Sequence, residues 1–226
     1  MTRVISFLIL LVLISAFQAP ERKDFFEGKV TYQLEYDPIH KNATVEFLEE
    51  NYGVTEIMYY KNGFYKKVTL NREGDTVKTI IHNPIEKRLY GTHISTGDTI
   101  MTYSSLDEVM ADYKSTKVEK ETILNLKTFG IRYDFKMKTE FVTYGVEKSS
   151  ITYYFTKKFK INPENHKNQK DGFYDEIVEQ NPFLILKTIS NDNFIKEETK
   201  TATEIKEYKI DDSIFKVDST KPIKDI

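Results

Sequence analysis

From Gly28 onward the chain alternates apolar and polar residues with a period of two. Val30, Tyr32, Leu34 and Tyr36 fall on one side, with Thr31, Gln33 and Glu35 on the other, the signature of a strand with one dry face. The longest such run is Ile131 to Phe141, where Ile131, Tyr133, Phe135, Met137 and Phe141 alternate with Arg132, Asp134, Lys136, Lys138 and Glu140. A helix would scatter those apolar residues round its whole circumference, so the pattern predicts antiparallel sheet with one wet face. Shorter strands are predicted over 54–60, 64–70, 77–82, 87–90, 99–103, 151–159, 183–189, 194–199 and 203–210. Turn residues separate them. The sharpest signal is Lys61-Asn62-Gly63, because Asn-Gly accepts the positive φ angles of a type I′ hairpin turn.

Two helices interrupt the predicted meander. Ser105-Leu106-Asp107-Glu108 has the form of a capping box, and Leu106, Val109, Met110 and Tyr113 follow at helical spacing, giving a helix over 105–113 with one apolar face. A second helix is predicted over 173–180, with Phe173, Ile177 and Val178 inward and Asn181-Pro182 ending it. The polar stretch 162–170 between them reads as a surface loop. Neither an internal repeat nor a linker divides residues 20–226, so a single mainly-β domain is expected.

The N-terminus adds a compartment. Arg3 is followed by an apolar run of roughly 14 residues from Val4 to Phe17. As a helix that run spans about 21 Å, short of the roughly 30 Å hydrocarbon core of a bilayer. Residues 1–19 therefore read as a secretory signal peptide and not as a membrane span, which places the mature chain in the periplasm or outside the cell.

Composition narrows the chemistry. Lys plus Arg number 33 against 35 for Asp plus Glu, so no basic excess exists to hold nucleic acid. The absence of cysteine excludes disulfides, thiolate metal sites, a cysteine nucleophile and a lipid-modified N-terminal cysteine. None of the four histidines has metal-ligand spacing, and His82 reads as a solvent-facing strand-end residue. No nucleophile elbow, P-loop or dinucleotide fingerprint is present. Asp211-Asp212 reads as a turn, and the tyrosine pairs 59–60 and 153–154 as core and rim packing. Asn42-Ala43-Thr44 matches a glycosylation sequon. No cofactor, metal or enzymatic activity is expected.

Four segments carry a family resemblance: the opening strand Phe26-Glu27-Gly28-Lys29-Val30-Thr31-Tyr32, the hairpin Tyr59-Tyr60-Lys61-Asn62-Gly63-Phe64-Tyr65-Lys66, Tyr153-Tyr154-Phe155 followed by Lys160-Ile161-Asn162-Pro163, and the closing stretch from Ile205 to Val217 with its Asp212-Ser213-Ile214-Phe215 ending. Together they resemble the LolA/LolB/LppX-like superfamily of cell-envelope lipoprotein carriers, in an exported branch of Gram-negative bacteria. No position here matches the cavity arginine of LolA, and the lipobox cysteine of LolB and LppX is missing. The fold implied is a strongly curved antiparallel sheet, an incomplete barrel with short helices covering its concave face. The function implied is binding of a lipid, a lipoprotein acyl chain or another hydrophobic ligand by a monomer. By alternation, Tyr32, Leu34, Tyr36, Ile57, Tyr133, Phe135 and Met137 are the candidate contacts, with Leu106 and Met110 covering them. The alternative is a cell-envelope scaffold or protein-interaction module with a filled core.

Overall fold

The computed structural model describes residues 25–142 and 145–226; the expected signal segment 1–19 lies outside them. The strands are β1 (Gly28–Pro38), β2 (Thr55–Lys61), β3 (Phe64–Leu70), β4 (Thr76–Asn83), β5 (Arg88–His93), β6 (Ile100–Ser104) and β7 (Met110–Val118). They continue with β8 (Thr122–Ile123), β9 (Leu126–Met137), β10 (Lys148–Lys160), β11 (Phe183–Asn191), β12 (Lys196–Glu207) and β13 (Ile223–Asp225). Two short helices, α1 (Val45–Tyr52) and α2 (Tyr174–Gln180), complete the regular structure, with a few 3-10 turns.

All the strands join one sheet in the order β13-β6-β5-β4-β3-β2-β1-β12-β11-β10-β9-β7, with β8 pairing β9 off that path. The ladder is antiparallel except for the β13–β6 pair. The expected type I′ geometry appears at Asn62 (φ 49°) and Gly63 (φ 84°), which join β2 to β3. The sheet is open, ending at β13 and β7, and it is not strongly curled into the incomplete barrel that the family resemblance implies. It bends enough for residues of β5 and β10, with six strands between them, to face a common hollow.

The buried apolar residues fall into three clusters. The largest includes Val30 and Tyr32 of β1, Tyr60, Tyr65 and Leu186. A second joins Tyr133, Phe135 and Phe155 of the β9–β10 pair to Ile177 of α2. The third sets Leu34 and Tyr36 against Leu48 of α1. Helix α2 stops at Asn181 as expected, its C-terminal N–H bonding back to the Ile177 carbonyl.

Residues 105–113 do not form the expected helix. Ser104, not Ser105, supplies the local turn bond, its Oγ accepting from the Leu106 N–H at 3.1 Å. Ser105 is fully buried and its Oγ donates to the Asn168 carbonyl at 2.9 Å. From Met110 the chain pairs with β9 along nearly all of its length. A sheet partner that satisfies a whole row of backbone groups outweighs weak helical periodicity. The predicted strands 194–199 and 203–210 are one strand, β12, held in continuous register with β1 except for one bulge. The strand expected over 131–141 starts earlier, at Leu126, and ends at Met137, before a 3-10 turn.

Helix α1 was not anticipated. Thr44, the last residue of the sequon, caps it by accepting from the Phe47 N–H at 3.1 Å, and Leu48 is the residue it buries. The helix ends at Gly53, where φ is +84° and an added Cβ would lie 2.7 Å from the Leu70 carbonyl oxygen. The Gly53 carbonyl also accepts the Tyr36 hydroxyl at 2.8 Å. Gly53→Ala is therefore expected to cost about 1–3 kcal/mol. A urea midpoint identical to that of the parent would contradict this account.

Candidate ligand-binding cavity

A cavity of about 380 Å³ opens on the inner face between the sheet and the segment that links β10 to β11. Its size lies within the range of small-molecule sites. One wall comes from β7, β9 and β10 and presents Met110, Phe135, Ile151 and Tyr153. The opposite wall, from β2, β3, β5 and β6, presents Met58, Tyr60, Tyr65, Leu89 and Tyr103. Tyr32 of β1 lies between them, its hydroxyl donating to the Ile185 carbonyl at 2.9 Å.

Strand parity explains the lining. Antiparallel partners share a face, and Tyr60 pairs with Tyr65 while Met58 pairs with Lys67. Tyr153 likewise pairs with Thr188, which pairs with Lys200. The same parity that delivers aromatic rings therefore delivers Lys67 and Lys200 to the cavity.

The charged groups in the cavity and along the same face beside it are mostly matched. Lys200 Nζ lies 2.9 Å from Glu56 Oε1, and Lys196 Nζ lies 2.5 Å from Glu198 Oε2. Burial works against the Glu56 carboxylate, but Lys200, Lys67 and Lys78 outweigh it and hold its pKa below the ordinary value. Lys67 is different. Its ammonium lies over the Tyr65 ring at 4.8 Å and makes no hydrogen bond or ion pair among the described residues. Burial, reinforced by Lys200, lowers its pKa to about 8. Asp171, at the cavity rim, has its pKa raised by burial against the pull of Lys67.

The segment expected to be a surface loop dips into the core. His166 and Gln169 are buried, and so is His82, which is only 1% exposed rather than facing solvent. Tyr60 donates its hydroxyl proton to His166 Nε2 (2.8 Å), His166 Nδ1–H donates to Gln169 Oε1 (3.2 Å), and Gln169 Nε2 donates to Tyr65 Oη (3.2 Å). This chain fixes the His166 tautomer. His82 donates from Nδ1 to the Gly63 carbonyl at 2.9 Å, while its Nε2 is buried without a partner among the described residues. The two imidazoles lie nearly parallel, 6.3 Å apart, with Tyr65 stacked 5.0 Å from His82. His82 and His93 do not meet across their hairpin: His82 pairs with Leu89, and His93 with Lys78. Burial lowers the pKa of His82 and takes that of His166 down to about 4.

Of the residues expected at a hydrophobic site, Tyr32, Met110 and Phe135 line the cavity. Leu34 and Tyr36 share the inner face of β1 but are covered by α1. Tyr133 is fully buried beneath α2, its hydroxyl accepting from Asn181 Nδ2 at 3.1 Å. Ile57 sits between the inward-facing Glu56 and Met58 and so points to the opposite face. Met137 ends β9 opposite Met110, and Leu106 is 44% exposed in a turn instead of forming a lid. Lys67, Lys200, Asp171 and the histidine cluster were not foreseen.

Fold and cavity together define an open, mostly antiparallel β-sheet protein with an internal hollow on one face. No family model matches the chain. It is 26% identical over 180 residues to a Borreliella burgdorferi protein described as an ankyrin repeat protein, covering 73% of this chain and 41% of that one, so it spans less than half of that relative's length. Among solved structures it is similar to PNGF-II, with a TM-score of 0.47 and 15% identity, covering 89% of this chain and 31% of that chain. It is also similar to a LolA superfamily protein from Nitrosomonas europaea, with a TM-score of 0.38 and 9% identity over 87% of this chain and 92% of that one. An outer membrane lipoprotein-sorting protein domain from Vibrio parahaemolyticus matches with a TM-score of 0.36 and 10% identity, over 85% of this chain and 90% of that one. No helix among the described residues is long and apolar enough to cross a membrane.

Proposed function

We propose that this chain is an exported, non-enzymatic protein that holds a lipid, an acyl chain or a similar hydrophobic ligand against the inner face of its sheet. The observation that carries this reading is the cavity of about 380 Å³ lined chiefly by Tyr, Phe, Met, Ile and Leu side chains. Each methylene moved from water into such a site contributes about 0.8 kcal/mol. Tyr32, Met110, Phe135 and Ile151 are the contacts this reading assigns. Export rests on the apolar run of residues 4–17. The hollow favours a carrier over an envelope scaffold with a filled core.

Native mass spectrometry of the purified protein, together with displacement of a fluorescent fatty acid, tests the proposal. Retained lipid and saturable one-to-one binding are expected. Ile151→Trp, which fills the hollow from β10, should weaken binding about tenfold or more. Neither retained lipid nor saturable fatty-acid binding in the parent protein would overturn the carrier reading.

A further inference from the structure

The cavity contains a cation that makes no ion pair among the described residues. Lys200 is held by Glu56 and Lys196 by Glu198. Lys78, further along the same face, is exposed to solvent. Lys67 lies inside the hollow with the face of the Tyr65 ring against its ammonium and with Glu56 acting on it from beyond ion-pair distance. Removing a charge from water without a counter-ion is unfavourable, and the cation–π contact offsets only part of that loss. Another acidic group of the cavity, Asp171, comes from the segment opposite the sheet and attracts Lys67 without forming an ion pair with it. Even with its pKa lowered to about 8, Lys67 remains largely protonated at neutral pH.

We propose that the ligand is an amphiphile with an anionic head, a carboxylate or phosphate on an aliphatic chain, whose charge is met by Lys67 while the chain lies along Met110, Phe135 and Ile151. This deepens the carrier reading and rests on it. The head supplies a counter-ion at ion-pair distance, which no described residue provides, and the chain occupies the adjoining apolar wall. Glu56 and Glu198 attract Lys67 from a distance, but each makes its ion pair with another lysine, Lys200 and Lys196. Asp171 opposes the head by like charge, so the two residues act on the same ligand with opposite signs.

Calorimetric titrations with dodecanoate, dodecyl phosphate, dodecanol and inorganic phosphate, each below micelle-forming concentration, separate the parts. Both anionic amphiphiles are expected to bind about tenfold or more tightly than the alcohol. Lys67→Met should lower their affinity about tenfold while leaving dodecanol nearly unchanged, and Asp171→Asn should raise it several-fold. Equal binding of all three amphiphiles, or equal loss for acid and alcohol in Lys67→Met, overturns the head-group assignment while leaving the carrier reading intact. If no amphiphile binds, the carrier reading itself falls. If inorganic phosphate binds as tightly as dodecyl phosphate, the site serves a free anion and the amphiphile proposal is wrong.

Discussion

Phe155→Ala is expected to destabilise the protein by about 3–5 kcal/mol, the usual cost of truncating a buried aromatic ring. Phe155 has no solvent exposure and sits in the middle of β10, paired with Phe129 of β9 and Ile185 of β11. Its ring stacks on Phe129 at 5.4 Å and meets Tyr153 at 5.9 Å. Phe129 in turn meets Phe183 edge-on at 6.0 Å. Truncation would leave a void with rings on several sides and no small residue placed to fill it. The surrounding rings belong to paired strands, whose ladder resists collapse into the gap, so the cost belongs near the upper end of the range. Urea unfolding of the variant should show a much lower midpoint with an unchanged slope. A loss below about 1 kcal/mol would mean that the β9–β10 cluster repacks freely.

The second large effect is a loss of stability in mild acid. His166 is buried, and its pKa in the folded protein is about 4, against an ordinary value near 6.5. Burial is the main cause, and the neighbouring His82 ring adds to it against the hydrogen bond to Gln169. Between these two values the unfolded chain binds more protons than the folded one, so stability falls as pH drops from about 6.5 to about 4. Above 6.5 the contribution is fully present, and below 4 no more is lost. The difference corresponds to about 3 kcal/mol. His82, also depressed by burial, acts in the same direction. Urea unfolding across this interval should show the decline, and His166→Gln, which keeps hydrogen-bonding atoms at the site, should flatten much of it. Parallel pH profiles for parent and variant would assign the acid sensitivity to the carboxylates instead.

Much of the β architecture was legible because one face of most strands is dry. The alternation of Val30, Tyr32, Leu34 and Tyr36 gave β1 its inner face, and all four side chains are buried there. Asn62-Gly63 placed a hairpin because its backbone requirement is local. The failures share a cause. In β3 the order Phe64-Tyr65-Lys66-Lys67-Val68 puts apolar and basic residues on both faces, so periodicity does not reveal that Lys67 enters the hollow. Over 105–113 a helical spacing of apolar residues competed, from Met110 onward, with a sheet partner many positions away, and the partner won. The histidine cluster was hidden for the same reason. Tyr60 and His166 are 106 residues apart, and a buried polar side chain becomes tolerable only when a distant partner satisfies it. The sheet's limited curl was equally unreadable, since alternation records which face is dry and not how far a sheet bends.

Strand β7 has consequences for the protein at high concentration. Its free border is polar, with Asp112, Lys114 and Lys117 exposed, while at the other end of the ladder the three-residue β13 exposes Ile223 beside Lys224 and Asp225. Unpaired backbone along such borders is the template on which chains stack into fibres, and ionised side chains there raise the cost of docking a second strand. Crowded copies therefore have little incentive to zip together along β7.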